Sequence, residues 1–191
     1  MNDCATADQV RRLFTKRGDS QYGGEAVSQL EHGLQAAAMA EQEQASAQLI
    51  AAALLHDVGH LLHVLPDDAP DRGVDDMHEE LGADWLASRF PPAVLEPVRM
   101  HVAAKRYLCA AEPAYRQSLS PPSELSLQLQ GGPMSDKECD SFRASPFFDD
   151  AIRLRRWDDL AKDPEMQTPP LEHFLEYVRD AMAPSPSTTT L

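Results

Sequence analysis

The stretch from Ala51 to His63, AAALLHDVGHLLH, constrains this chain more than any other. Alanine and leucine are strong helix formers, and only Gly59 interrupts them. On a helix, His56 and His60 lie one turn apart on the same face, with Asp57 beside them. An imidazole next to a carboxylate in so apolar a segment is costly to bury without a compensating cation or hydrogen bonds. A divalent or trivalent metal is the simplest compensation. The plainer alternative is a chance pair at a helix end, solvated and structural.

The chain of 191 residues suits one domain. That domain is expected over 1–183, followed by a disordered tail, 184–191, of the APSPSTTTL type. No internal repeat and no convincing strand is visible, so the expected fold is all-α. The formal net charge of −14 disfavours nucleic acid and anionic membranes as partners. A small anionic substrate is still compatible, because a few basic residues and a metal can make one positive pocket. No segment approaches the roughly 20 apolar residues of a membrane helix. The start, MNDCATADQV, lacks the basic and apolar regions of a signal peptide. Cys4, Cys109 and Cys139 are odd in number and widely spaced, which fits free thiols in a reducing cytoplasm. Oligomeric state is not legible.

Helical patterns are expected over 7–16, about 25–41, roughly 46–64, 77–90, and after the Pro91-Pro92 pair. In the second helix Val27, Leu30 and Leu34 form the core stripe. Glu25 and His32 then share nearly one face, with Tyr22 just ahead in a flexible Gly23-Gly24 turn. The polar segment PDDAPDRGVDD reads as a loop. In the next helix Leu81, Trp85 and Leu86 are expected to face the core, with His78 in its first turn. His101 and Lys105, four apart, share a face of the following helix. Between Glu112 and Pro133 the pattern weakens to a loop holding a short helix from Ser123. In the helix FFDDAIRLRRWDDLAKD, Ile152 and Leu160 mark the apolar side, and Arg155 and Asp158 are surface neighbours. A final helix covers about 171–182. His63 and His173 have no evident role, and Trp85 and Trp157 read as core.

His32, the His56-Asp57 pair, His78, His101 and Asp158 stand on or at the start of separate expected helices. That order, H…HD…H…H…D, resembles the HD-domain superfamily, over roughly 22–158. The resemblance implies that His32, His56, Asp57 and Asp158 hold one metal, that His78 and His101 add a second, and that Asp57 bridges them. Imidazole and carboxylate suit first-row transition metals. HD-domain phosphodiesterases of cyclic dinucleotides have a lysine where this chain has His60, and a Gly-Tyr-Pro motif that is absent here. HDVGH, Tyr22 and Glu25 upstream, Lys105, SLQLQGGP and Arg155 instead look like the HD-domain mixed-valence diiron oxygenases, in their PhnZ-like, phosphonate-cleaving branch.

The resemblance implies two iron ions, Fe(II)/Fe(III), with O2 as co-substrate. It places His60, Lys105 and Arg155 on the phosphonate as the catalytic set, with Ser126 and Gln130 assisting. Ser123 and Gln128 fit the same loop positions loosely. Tyr22 and Glu25 resemble a pair that holds the substrate's amine end. Glu25 offers a charge to an ammonium, and Tyr22 a ring face and hydroxyl. Plainer readings stand beside these: Glu25 as a helix N-terminal acid, Arg155 as a surface ion pair with Asp158 or Asp159, His32 as a helix histidine. The implied reaction oxidises (R)-2-amino-1-hydroxyethylphosphonate to glycine and phosphate, or its N-trimethyl analogue to glycine betaine and phosphate. In the latter case Tyr22 and Tyr107 are the rings available to cage the amine. Two other classes fit the same ligands: a metal-dependent phosphohydrolase acting on a nucleotide or phosphomonoester, and a non-catalytic phosphonate sensor.

Overall fold

The computed structural model describes residues 3–62 and 73–182, with side chains from Ala5. The positions of His63 and of the expected 184–191 tail lie outside the described residues. Ten α-helices occur among the described residues, and no strand beyond one isolated bridge, Gln21 to Ser28. They are α1 (Asp3–Arg17), α2 (Gln29–Gln42), α3 (Ala47–Leu55), α4 (His78–Leu86), α5 (Pro92–Ala111), α6 (Pro113–Gln117), α7 (Pro121–Leu129), α8 (Asp136–Arg143), α9 (Phe148–Leu160) and α10 (Leu171–Asp180). A single 3-10 turn, Val58–Leu61, follows α3.

The bundle is built around α3. A helix that is apolar all round belongs inside, and every residue from Leu49 to Leu55 is buried. It packs against α2, α5, α9 and α10. Ser46 caps it, accepting the Leu49 N–H at 3.2 Å. At Gly33 a Cβ would stand 2.9 Å from the Leu54 carbonyl. The absence of a side chain there lets α2 and α3 close on each other, which brings His32 next to His56.

Helix boundaries differ from the sequence reading at several places, two of which shape the site. The third helix does not run on to residue 64. It stops at Leu55, because Asp57 takes φ −101°, ψ 16° and the 3-10 turn follows. Gly59 then passes so near the start of α4 that a Cβ would lie 2.0 Å from the His78 carbonyl oxygen. The second helix starts at Gln29, not Glu25. Ser28 forms a capping box with Glu31. Residues 21–28 form a closed loop, with Gly23 and Gly24 at positive φ and a Tyr22 N–H to Val27 carbonyl bond of 3.0 Å.

Two residues expected in the core are outside it: Leu81 and Leu160 are 39% and 66% exposed. On α9 the buried side is Ala151, Leu154, Arg155, Trp157 and Asp158, with Ile152 half-buried, so Arg155 and Asp158 pair inside the protein and not on its surface. Trp157 and Leu86 are buried as expected, whereas Trp85 is half-buried under the Arg89 guanidinium. The segment read as mostly loop contains α6 and α7, each with proline in its first turn, where a missing N–H costs nothing. No helix among the described residues is long and apolar enough to cross a membrane.

Candidate active site

Five elements deliver imidazole and carboxylate groups to one point. His32 comes from the first turn of α2, His56 from the end of α3, and Asp57 from the break after it. His78 opens α4, His101 lies mid-way along α5, and Asp158 sits near the end of α9. All six are buried. Each ring is aimed by its Nδ1. His32 Nδ1 is 2.8 Å from the Ala161 carbonyl, His56 Nδ1 2.8 Å from that of Ala53, and His101 Nδ1 2.7 Å from that of Val98. A carbonyl only accepts, so Nδ1 carries the proton and Nε2 turns inward with a lone pair. His78 Nδ1 bonds the Asp76 carboxylate at 2.8 Å to the same effect.

The inward nitrogens meet in pairs: His32 with His56 at 3.0 Å, His78 with His101 at 3.1 Å. Lone pair facing lone pair at that distance is repulsive unless a proton or cation lies between. Two donors held about 2.1 Å from one first-row ion at a right angle stand about 3 Å apart. Asp57 is divided between the pairs. Its Oδ2 is 3.5 Å from His32 Nε2 and 3.4 Å from His56 Nε2. Its Oδ1 is 3.4 Å from His78 Nε2 and 3.3 Å from His101 Nε2. Asp158 joins the first pair, its Oδ1 3.4 Å from His32 Nε2. Asp57 Oδ1 is buried without a hydrogen-bond partner. An orphaned carboxylate oxygen among inward-facing imidazoles fits a pair of cations bridged by Asp57.

The electrostatics agree. Burial opposes charging His32, yet the Asp158 and Asp57 carboxylates hold its pKa up at about 9. Burial pushes His56 and His78 down to about 4. Protons alone would thus balance the carboxylates through some rings and not others. Metal ions coordinate neutral imidazole and balance them all.

Beside this cluster opens a cavity of about 550 Å³. Every residue that the sequence placed on a substrate lines it: Tyr22, Glu25, His60, Lys105, Ser126, Gln130 and Arg155. Lys105 Nζ donates to Ser126 Oγ at 2.8 Å, and burial followed by the Arg155 charge lowers its pKa to about 7. Arg155 is buried and donates to Asp158 Oδ2 at 2.8 Å, to the Tyr115 hydroxyl at 3.1 Å and to Asp159. Between Ser126 and Ser123, the former meets Lys105 and the latter meets Lys162. Gln130 has a buried amide oxygen with no partner, whereas Gln128 is exposed. His60 is 24% exposed at the cavity edge. Its Nδ1 lies 2.7 Å from Asp76 Oδ2 and its Nε2 3.9 Å from Asp57 Oδ2. With Asp57 and His78 it also offers three donor atoms within 4.8 Å of one another.

The Tyr22 ring stacks on His32 with centroids 3.7 Å apart, and its hydroxyl donates to Asp158 Oδ1 at 3.3 Å. Tyr107 is not at this cavity. It packs on Phe142 and Phe148, so it forms no cage with Tyr22. His173 has a partner too, Glu41 at 2.7 Å, far from the site in sequence and element. Three residues of the site escaped the sequence reading: Asp76, Tyr115 and Lys162; Asp159 pairs with Arg155 as read, but with Arg155 buried inside the protein. Only Asp76 carried a signal, as an acid two residues before a candidate ligand.

An all-helical bundle that divides one aspartate between two imidazole pairs is the arrangement that the HD-type resemblance implies. The HD domain model matches residues 29–140. A [1-hydroxy-2-(trimethylamino)ethyl]phosphonate dioxygenase (glycine-betaine-forming) of Leisingera caerulea is 43% identical over 167 residues, 87% of this chain and 85% of that one. A hydroxymethylphosphonate dioxygenase of Gimesia maris is 45% identical over 163 residues, 85% and 81% of the two chains. An uncharacterized protein of Acanthamoeba polyphaga mimivirus is 34% identical over 178 residues, 90% and 81%. The chain belongs to the HD-domain family, in the oxygenase branch that these phosphonate dioxygenases represent.

Proposed function

We propose that this protein is an oxygenase that cleaves the carbon–phosphorus bond of a 1-hydroxyalkylphosphonate with O2, giving phosphate and a carboxylate. One observation carries the reading: a buried cluster of four inward-facing imidazoles and two carboxylates adjoins a cavity lined by Lys105, Arg155 and His60. The residues that would hold the ions are His32, His56 and Asp158 on one side and His78 and His101 on the other, with Asp57 shared. The ions are read as iron, as Fe(II)/Fe(III), from the resemblance to the mixed-valence diiron oxygenases, and the similarity to two proteins named phosphonate dioxygenases supports use of O2. When bound, such a pair supplies the redox chemistry by which one O2 accepts four electrons from the substrate.

The chain's own residues do the rest. Lys105 and Arg155 neutralise a phosphonate by charge-assisted hydrogen bonds, Arg155 through its planar fork. His60, fixed by Asp76, presents its Nε2 to the same end. Ser126 and the unsatisfied Gln130 amide complete the oxygen contacts. Burial on all sides strengthens these contacts. Tyr22 stacks on His32 and lines the cavity. The reading takes 1–183 as one HD domain. Tyr22 and Glu25 precede the matched region and Arg155 and Asp158 follow it, so the site needs the whole span. The free, buried Cys109 and Cys139 support placement in a reducing cytoplasm.

The test supplies iron-loaded protein with hydroxymethylphosphonate, (R)-2-amino-1-hydroxyethylphosphonate and its N-trimethyl analogue, with and without O2. Phosphate is expected with its matching carboxylate (formate, glycine or glycine betaine), one O2 consumed per phosphate. Phosphate release without O2 would replace this reading by a hydrolase. Binding of all three without product would replace it by a sensor. An EPR signal from a spin-coupled mixed-valence pair is expected in protein purified in air.

A further inference from the structure

The acid assigned to a substrate ammonium already has one. Glu25 Oε1 stands 3.3 Å from Lys162 Nζ and accepts the Ser120 hydroxyl at 2.6 Å. Lys162 Nζ also donates to Ser123 Oγ at 3.0 Å and stands 5.8 Å from the Tyr22 ring centroid. Glu25, Lys162, Ser123 and Tyr22 all line the cavity. The side chains of Lys162 and Glu25 are only 13% and 16% exposed. Nor is Lys162 loosely held. The next residue, Asp163, exchanges two hydrogen bonds with the buried Gln35, at 2.7 and 3.1 Å.

We infer that Lys162 is a specificity-determining residue: it fills the ammonium position at Glu25 and so selects 1-hydroxyalkylphosphonates with an uncharged far end. This rests on the proposed reaction class. A primary ammonium entering here must displace Lys162 from Glu25. That would leave the lysine with one serine hydroxyl, in a pocket that already holds Lys105 and Arg155. A quaternary ammonium wants ring faces. Tyr22 lies against His32 at 3.7 Å, and Tyr107 is in another cluster. A neutral far end, such as the bare C1 of hydroxymethylphosphonate, disturbs none of these contacts.

The experiment is an anoxic calorimetric titration of the metal-loaded protein with the three phosphonates, followed by phosphate release in air. The wild type is expected to bind hydroxymethylphosphonate at least about tenfold more tightly than either ammonium-bearing ligand. Lys162→Met removes the competing charge, so that ratio should swing toward the ammonium ligands by about tenfold or more. A merely structural role for Lys162 would weaken all three alike. Lys162→Gln keeps a hydrogen bond to Ser123 without the charge and should reproduce the swing if the methionine variant does not fold. A wild type that prefers an ammonium ligand, or binds none of the three, overturns the inference. So does a ratio unmoved in both variants. If the ratio swings but no phosphate appears in air, the reaction class falls and the role of Lys162 stands; phosphate release with an unmoved ratio means the converse.

Discussion

The two ends of the cavity are built differently. At the ion end, each imidazole is fixed through Nδ1 by a carbonyl or carboxylate, and Arg155 is held by Asp158, Asp159 and Tyr115. Most of these groups come from α2, α5 and α9, which pack on α3, or from the end of α3 itself; His78 opens α4 and Tyr115 lies on α6, both packed on α5. At the far end, Glu25 comes from the Gly23-Gly24 loop, Ser120 and Ser123 from the start of α7, and Lys162 from just beyond α9. Chemistry that cannot tolerate displacement is placed on the core, and selection among substrates on connections. Loops can change with little cost to folding.

The comparison breaks first at Asp158. Asp158→Ala removes one ion ligand and the best partner of a buried guanidinium. Elemental analysis should find at most one ion per chain, and phosphate release should fall to background. Losing one member of a buried pair costs about 3–5 kcal/mol, at the lower end here because Asp159 remains. Retention of two ions and full turnover would show that the ligand set is wrong.

Gly59→Ala comes next. Its Cβ would meet the His78 carbonyl at 2.0 Å, backbone against side chain, so α4 must shift and carry His78 with it. Overpacking of this kind costs about 1–3 kcal/mol. Thermal unfolding should record that loss, and ion content should fall at the His78–His101 side. An unchanged melting temperature would mean that the turn relaxes freely.

A pH profile sharpens the comparison. Burial lowers Lys105 to about 7, so the group is charged below that pH and neutral above it. Affinity for an anion should therefore fall as pH rises through about 7, by up to about tenfold per unit. Lys105→Arg keeps its charge and should abolish this decline. A wild-type profile flat from about pH 6 to about pH 9 contradicts the assignment. The smallest effect is expected at the far end. Ser120→Ala removes one hydroxyl from Glu25 and leaves Lys162, so kcat/KM for hydroxymethylphosphonate should change by no more than about twofold, or about half a kcal/mol.

The convergence of the six candidate ion ligands is legible in the sequence because their chemistry is carried by residue type. Histidine and aspartate recurring at helix spacing have few bland explanations once six converge. The helical class was legible for a similar reason, in the apolar run of α3. What failed has physical causes. The apolar pattern of α3 continues through GHLLH, but the backbone breaks at Asp57, where the turn must pass beside His78. Leu160 was misplaced because α9 buries Arg155 and Asp158, and buried charges invert the amphipathic rule by which its core side was judged. Asp76, Tyr115 and Lys162 are ordinary residue types whose neighbours are set by packing across the bundle. No local pattern announces that Lys162 will stand beside Glu25.

The Ala161 carbonyl that aims His32 belongs to the chain segment leading directly from Asp158 to Lys162. His32 and Asp158 therefore grip from opposite sides of the seam between α2 and α9, which the Gln35–Asp163 bonds stitch a little further on. An ion held between them would thus latch this seam, beside the segment that bears Lys162.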